Sequence, residues 1–275
     1  MQVAKESPGT PTSPPLDQSL PRWLRPAWRT VAAVWRPARP YAFAAWRPVQ
    51  RYGEYVLAAA TVVTVLAAVW MAFKYAPTDA LQGDVQRIEY FHVALAWIAF
   101  LAFFVVFLAS VAYLWRRDER WDWIARAAAE VGTVFTTLVL ITGSLWGHII
   151  WGTWWAWDAR LTTTLILWFI YVGYLLLRSY TGRSESGARA AAVLGIIGFV
   201  DVPIDYLSVT WWRTLHPSYQ VPLGQTAQAP ASVVSTLLVA VLAFTLLFTF
   251  LMLLVYRMQR AQSVAQRLRA RVELE

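Results

Sequence analysis

The sequence predicts an all-α integral membrane protein, built as a bundle of six transmembrane helices. Of its 275 residues, 58% are hydrophobic and only 15% are charged, which is too apolar for an ordinary soluble domain. The apolar residues lie in six long blocks, each near or above the ~18–20 residues that a helix needs to cross a hydrocarbon layer ~30 Å thick. No alternation of polar and apolar residues is sustained over about 10 residues, which argues against a transmembrane barrel.

Charged residues help to place the individual spans. Glu130, in the third span, is expected at the cytoplasmic interface. Asp158 and the threonines after it mark the start of the fourth span. Asp201 and Asp205, in the fifth span, are costly at membrane depth, so we expect them at the outer rim, where water reaches them. In chain order, the six predicted spans are residues 55–73, 90–115, 125–146, 161–177, 189–209 and 231–256.

The distribution of basic residues predicts the orientation of the chain. Alternate connecting segments and both ends hold 20 of the 24 Lys and Arg residues, which places the N and C termini in the cytoplasm. The outer loops, near residues 74–92, 147–160 and 210–230, would then face the periplasm of a bacterial inner membrane. The net charge of +8 reflects this bias and contact with anionic membrane lipid rather than nucleic acid.

The two ends of the chain differ from the predicted transmembrane domain, residues 55–256. Residues 1–54 are rich in Pro, Trp and Arg, so we expect a cytoplasmic extension that is partly disordered or lies at the lipid headgroups. Residues 257–275 are predicted to be a cytoplasmic tail that continues the last helix.

The residues that can bind a metal are few and lie on one side of the predicted topology. The chain has no cysteine, which excludes thiol exchange, iron–sulfur clusters and disulfides. Its three histidines, His92, His148 and His216, all fall at the outer ends of spans or in outer loops. Any histidine-based metal site is therefore expected at the outer face.

Residues 151–162, WGTWWAWDARLT, hold four tryptophans within seven positions. As a helix, the segment would place Trp151, Trp154, Trp155 and Asp158 on one face. As an extended chain, it would place Trp151, Trp155 and Trp157 on one face. Either form gives a platform for a flat ligand. The alternative is an aromatic belt at the lipid interface, although belts are usually spread around a protein.

Stacking alone would orient a flat ligand but hold it loosely. An aromatic contact gains ~0.5–1.5 kcal/mol beyond area burial, so three or four contacts sum to roughly 2–6 kcal/mol. That corresponds to an affinity of about millimolar or moderately better. Tight binding needs a further bond, such as one between iron and imidazole, and haem is the large planar ligand that contains iron.

Two charged residues at the end of this segment suit a ligand with carboxylates, as haem has. Asp158 begins a helix whose outward N-terminus favours anions. Arg160 adds a full charge and a fork of donors that matches a carboxylate. The alternatives are that Asp158 is simply the N-cap of this helix, and that Arg160 pairs with Asp158 or anchors the helix at the interface.

The tryptophan segment resembles the WWD signature of the CcmC family, the haem-handling membrane proteins of cytochrome c maturation. Residues 82–97, QGDVQRIEYFHVALAW, resemble the first outer loop of the family, whose ligand histidine falls on His92. Residues 208–217, SVTWWRTLHP, resemble its second outer motif, whose histidine falls on His216. The resemblance runs in order through all six spans and includes residues 142–155, TGSLWGHIIWGTWW.

The resemblance implies a haem-transfer protein and not an enzyme. Haem b would be a transient cargo at the periplasmic face, with its iron held by His92 and His216. The haem would pass to the periplasmic haem chaperone CcmE. The ABC transporter subunits CcmA and CcmB, with the small CcmD, would use ATP hydrolysis to release the loaded carrier. The remaining implied haem contacts are Trp151, Trp154, Trp155, Trp157, Asp158 and Arg160.

Two other functions remain alternatives. A b-type cytochrome in electron transfer would carry paired histidines inside its helices, whereas no histidine falls mid-span here. A permease without a cofactor would have broken helices or polar sites at the midplane, which are scarce apart from Gly195, Gly198 and Pro203. In all three interpretations His148 is an interfacial or cavity-lining group more than a ligand.

Overall fold

The computed structural model describes residues 52–216 and 230–272. Most of the Pro-, Trp- and Arg-rich extension and residues 217–229 of the third outer loop lie outside these ranges. The chain divides into two compact units, Met1–Tyr55 and Val56–Glu275. The helices and the site below belong to the second unit, apart from the first turn of the first helix.

The described part of the chain is helical and confirms the predicted fold class. Six helical stretches in these residues are long and apolar enough to cross a membrane. The fifth of them is divided between two consecutive helices, α5 and α6. The helices are α1 (Tyr52–Tyr75), α2 (Ile88–Arg116), α3 (Glu119–Trp151), α4 (Ala159–Thr181), α5 (Glu185–Phe199), α6 (Asp201–Trp211) and α7 (Ala231–Val272).

Several helices extend beyond the predicted apolar blocks because local signals fix their ends. Asp118 caps the start of α3 by accepting a hydrogen bond from the backbone N of Arg120 at 2.9 Å. At its other end, α3 runs on to Trp151 and stops at Gly152, whose φ of 73° is costly for any residue with a Cβ. The last helix continues to Val272, as predicted for the tail.

Helix α2 lies at the centre of the bundle and packs against α3, α5 and α7. Small residues allow the closest approach: a Cβ added to Gly132 of α3 would lie 2.7 Å from the Cβ of Ala102. On the α4 side, the rings of Phe103 and Tyr171 stack with centroids 3.6 Å apart and planes 9° apart. These contacts pack the middle of α2 against α3 and α4.

The break in the fifth span places a carboxylate inside the bundle. Pro203 lies in the first turn of α6, where its missing N–H costs no helical hydrogen bond. Two residues later, Asp205 is buried with only 1% of its surface exposed. The expectation that Asp205 lies at a water-exposed rim is therefore wrong, because α6 turns this side chain towards α4, where polar partners surround it.

Candidate functional site

One cavity of about 410 Å³ brings together residues from four helices and three loop segments. Its volume lies in the range of ~300–1,000 Å³ that is usual for small-molecule and cofactor sites. We call it the two-histidine cavity, because His92 and His216, 124 positions apart in the chain, both line it. Its other lining residues include Gln82, Gly143, Trp151, Trp155, Arg160 and Asp205.

His92 lies in the second turn of α2 and is 8% exposed. Its Nδ1 is 2.9 Å from Oγ1 of Thr142 on α3. Oγ1 of Thr142 also lies 2.8 Å from the carbonyl oxygen of Leu138, to which its hydroxyl can donate. When Thr142 donates to Leu138 it accepts from His92, and in that tautomer Nδ1 carries the ring proton and Nε2 keeps a lone pair. This is the tautomer in which the imidazole can bind a metal through Nε2.

Two neighbours set the position of the His92 ring. A Cβ added to Gly143 would lie 3.0 Å from Cε1 of His92, so the ring occupies space that only glycine leaves open. The indole of Trp146 meets the imidazole edge-on, with centroids 5.9 Å apart and planes at 70°. Sequence reasoning missed Thr142 and Gly143 because their partner lies about 50 residues away.

The loop before α2 also reaches the two-histidine cavity. Gln82 lines it and accepts a hydrogen bond from Nε1 of Trp146 at 3.0 Å. The backbone amides of Gln82 and Leu81 donate to Oδ1 of Asp79 at 2.7 and 2.8 Å. These two donors lower the pKa of Asp79 below its ordinary value of 3.8. A charged Asp79 therefore stabilises the turn that presents Gln82.

The tryptophan segment is divided between a helix end and a loop. Trp151 is the last residue of α3, and residues 152–158 are not helical, so the alternative of one continuous helix is wrong. Trp151 and Trp155 both line the two-histidine cavity. A Cβ added to Gly147 would lie 3.0 Å from Cε3 of Trp151, so Gly147 leaves room for the Trp151 indole.

The other two tryptophans of the segment lie outside the cavity lining. Trp154 is 57% exposed and stacks on His148, with centroids 4.0 Å apart and planes 7° apart. Trp157 is 78% exposed and meets Trp155 edge-on at 5.6 Å. The four indoles thus form two pairs of different exposure, with Trp151 and Trp155 inside and Trp154 and Trp157 outside.

Asp158 joins the tryptophan segment to the segment that carries His216. Its Oδ1 accepts from the backbone N of Leu161 at 2.9 Å, which confirms Asp158 as the N-cap of α4. Its Oδ2 accepts from Oγ1 of Thr214 at 2.6 Å and from the backbone N of Leu215 at 2.9 Å. His216 follows directly after these two residues.

Arg160 is buried, with 8% exposure, and it forms an ion pair with Asp205 rather than with Asp158, the partner in the alternative interpretation. Its Nη1 donates to the backbone carbonyl of Asp205, and its Nε lies 3.7 Å from Oδ1 of the same residue. The guanidinium also lies 5.5 Å from the ring centroid of Phe100. Oδ1 of Asp205 accepts from the hydroxyls of Thr163, at 2.6 Å, and Thr164, at 3.1 Å.

The pairing of Arg160 with Asp205 adds a residue that sequence reasoning did not assign to the site. The available signal was a carboxylate within an apolar span, which usually indicates a function or an ionic partner. The partner could not be read from the sequence, because it is 45 residues away on another helix.

Comparison with known proteins identifies the family. Residues 34–272 match the family CcmC, "Heme exporter protein C". Heme exporter protein C of Bradyrhizobium diazoefficiens is 42% identical, over 73% of this chain and 76% of the relative. The protein of the same name from Escherichia coli K12 is 38% identical, over 69% and 75%. A putative cytochrome c biosynthesis ccmC-like mitochondrial protein of Marchantia polymorpha is 36% identical, over 65% and 74%. The chain therefore belongs to the CcmC, or heme exporter protein C, family.

Proposed function

We propose that this protein binds haem in the two-histidine cavity and transfers it during the biogenesis of c-type cytochromes. The names of its relatives support the general role, since they are heme exporter proteins and a cytochrome c biosynthesis protein. The observation that carries the proposal is that His92 and His216, from distant parts of the chain, line one cavity. A single iron would then take one imidazole from each.

The chemistry of the cavity lining suits haem. His92 would offer Nε2 to the iron in the tautomer whose Nδ1 proton is donated to Thr142. Trp151 and Trp155 offer flat surfaces for the porphyrin. Arg160 brings a buried positive charge to the lining, where a propionate of the ligand would be attracted.

We propose that Trp154 and Trp157, which are exposed in the loop between α3 and α4, contact haem at the rim of the cavity. Because Trp157 lies edge-on to Trp155, a porphyrin resting on Trp155 would meet Trp157 next as it leaves. Such an open rim favours release over storage. Asp158 belongs to the site through its contacts with the His216 segment, and its role is taken up below.

We further propose that the cargo is haem b and that the cavity opens to the periplasmic side of a bacterial inner membrane. The periplasmic haem chaperone CcmE would receive the haem. CcmA, CcmB and CcmD would supply ATP-driven release of the loaded carrier. In this scheme the protein makes no covalent bond with haem, so its role is transfer and not catalysis.

A haem titration of single variants tests the proposal. The protein is purified in mild detergent, loaded with hemin, and compared with H92A, H216A and H148A by its Soret band and haem content. His148 is the matched control, because its imidazole stacks on Trp154 outside the cavity lining. We expect H92A and H216A to lose most of the bound haem and H148A to keep it. Unchanged haem content and an unchanged Soret band in both H92A and H216A would overturn axial ligation.

The transfer step needs a separate measurement. Haem-loaded protein is mixed with purified periplasmic carrier, and haem on each protein is measured after separation. We expect transfer from the wild-type protein and much less from W155A. If the carrier acquires no haem from the wild-type protein under any condition that keeps both folded, the transfer proposal fails while haem binding stands.

A further inference from the structure

We infer that Asp158 is a positioning residue, which holds His216 in the two-histidine cavity through Thr214 and Leu215. This inference rests on the proposed function, in which His216 is an iron ligand. The contacts of Asp158 with Thr214 and Leu215 are called the Asp158 latch. Through the latch, the start of α4 fixes the segment that follows α6.

The two oxygens of the Asp158 carboxylate have different partners. Oδ1 faces its own helix and accepts from the backbone N of Leu161. Oδ2 faces away and accepts two hydrogen bonds from a segment 56 and 57 residues later, from Thr214 and Leu215. One side chain therefore caps α4 and ties a distant segment to that cap.

The latch reaches His216 through a continuous set of hydrogen bonds. Thr214 donates its hydroxyl proton to Asp158 at 2.6 Å, and the same oxygen accepts from the backbone N of His216 at 3.1 Å. A hydroxyl can donate once and accept at the same time, so the two bonds are compatible. Two successive hydrogen bonds thus connect the backbone of His216 to the carboxylate of Asp158.

The segment that carries His216 needs such an anchor. Helix α6 ends at Trp211, the backbone N of Trp212 makes its last helical hydrogen bond, to Ser208, and residues 213–216 are not helical. Leu215 and His216 nevertheless both line the cavity. A ligand on an irregular segment must be ordered before it binds, and each constraint present beforehand lowers the entropy cost of binding.

The carboxylate is better suited to this role than a neutral side chain. A negative charge at the N-terminus of α4 is favourable, and hydrogen bonds to an ionised acceptor are roughly twice as strong as neutral ones. Asparagine at this position would keep a good N-cap through its carbonyl oxygen. Its amide group, however, cannot accept from the N–H of Leu215, so D158N separates the latch from the cap.

The test compares D158N, T214A and H216A with the wild-type protein, each loaded with hemin in detergent. Haem loss to excess apomyoglobin and the low-spin electron paramagnetic resonance signal are measured, with and without added imidazole. We expect D158N and T214A to lose haem about tenfold faster, as for a weakening of roughly 1.4 kcal/mol. We also expect a reduced low-spin signal that imidazole restores, as in H216A.

Two controls separate positioning from folding. T214S keeps the hydroxyl and should behave as the wild-type protein. T210A removes another threonine hydroxyl near the end of α6, one that bonds only to its own helix at Leu207, and should leave haem loss unchanged. If T214A fails to fold, T214V replaces it, because valine removes the hydroxyl and keeps nearly the shape of threonine.

The outcomes distinguish this inference from the proposed function. If H216A itself keeps haem and its low-spin signal, axial ligation by His216 fails. If H216A changes but D158N and T214A match the wild-type protein, ligation stands and the latch fails. If D158N loses haem while T214A does not, and imidazole does not restore the signal, Asp158 contacts haem directly and the positioning role is overturned.

Discussion

Nδ1 of His92 lies 2.9 Å from Oγ1 of Thr142, and the same hydroxyl lies 2.8 Å from the carbonyl oxygen of Leu138. When the hydroxyl donates to Leu138, Nδ1 carries the ring proton and Nε2 is left with the lone pair that can bind a metal. The contact between His92 and Thr142 also ties the start of α2 to the middle of α3, so the position of the candidate ligand depends on how these two central helices pack.

We expect T142V to weaken haem binding although His92 is retained. Valine has nearly the same shape as threonine but cannot accept from Nδ1, so both the tautomer and the ring orientation are freed. Outer hydrogen-bond partners of metal-binding histidines typically contribute about 10–100-fold in affinity. The measurement is a hemin titration followed by absorbance. T142S should bind as the wild-type protein does, and equal affinity in T142V would show that Thr142 has no part in ligand placement.

G143A should impair haem binding through steric contact with His92. The added methyl group would lie 3.0 Å from Cε1 of the imidazole, so the ring must shift. Gly173 in α4 is the matched control, since nothing lies within 4 Å of a Cβ added there. We expect G173A to bind haem normally and to gain up to about 1 kcal/mol in helix propensity. Similar haem affinity in both variants would mean that the His92 ring tolerates displacement.

D205A should destabilise the fold, because Asp205 is buried and ion-paired. Removing the carboxylate breaks the ion pair with buried Arg160, and breaking a buried pair from one side costs about 3–5 kcal/mol. We expect a lower midpoint of thermal unfolding in detergent, with most of the loss recovered in the double variant R160L/D205L. A double variant no more stable than D205A would show that the loss comes from the hydrogen bonds of Thr163 and Thr164 instead.

Among the tryptophans, those inside the cavity should matter more for haem retention than those outside. Trp151 and Trp155 line the cavity, whereas Trp154 and Trp157 are 57% and 78% exposed. An aromatic contact contributes ~0.5–1.5 kcal/mol beyond area burial, so W155A should release haem severalfold faster than W157A. The release rate to apomyoglobin measures this order, and a larger effect in W157A would place the porphyrin outside the cavity.

The orientation predicted from the basic residues can be tested because the chain has no cysteine of its own. Leu81 is 97% exposed in the loop before α2. Tyr180 is 92% exposed near the C-terminal end of α4, the end away from Asp158. In intact cells, a membrane-impermeant maleimide should label L81C and should label Y180C only after permeabilisation. The reverse pattern would place the two-histidine cavity on the cytoplasmic side.

Local signals made part of this structure predictable from sequence. The six spans follow from hydropathy alone, and Asp158 could be predicted as the N-cap of α4 because its partner, Leu161, is three residues away. Long-range pairing was not predictable in this way. Asp158 with Thr214 and Arg160 with Asp205 join residues 56 and 45 positions apart on different elements.

The tryptophan segment shows a second limit of sequence reasoning. Periodicity arguments need a regular backbone, and here the backbone changes at Gly152, within the segment. The residues before this glycine follow helical spacing, whereas those after it follow a loop path that no periodicity describes. Which indoles face the cavity therefore depends on the tertiary structure.

The most direct test of a shared haem is the electron paramagnetic resonance spectrum of the hemin-loaded protein at a measured haem-to-protein ratio. With His92 and His216 lining one cavity, we expect one haem per chain and a low-spin signal typical of two imidazole ligands. In H92A and in H216A we expect that signal to give way to a high-spin one. A full low-spin signal in either single variant, or two haems per chain, would contradict a single haem held between these histidines.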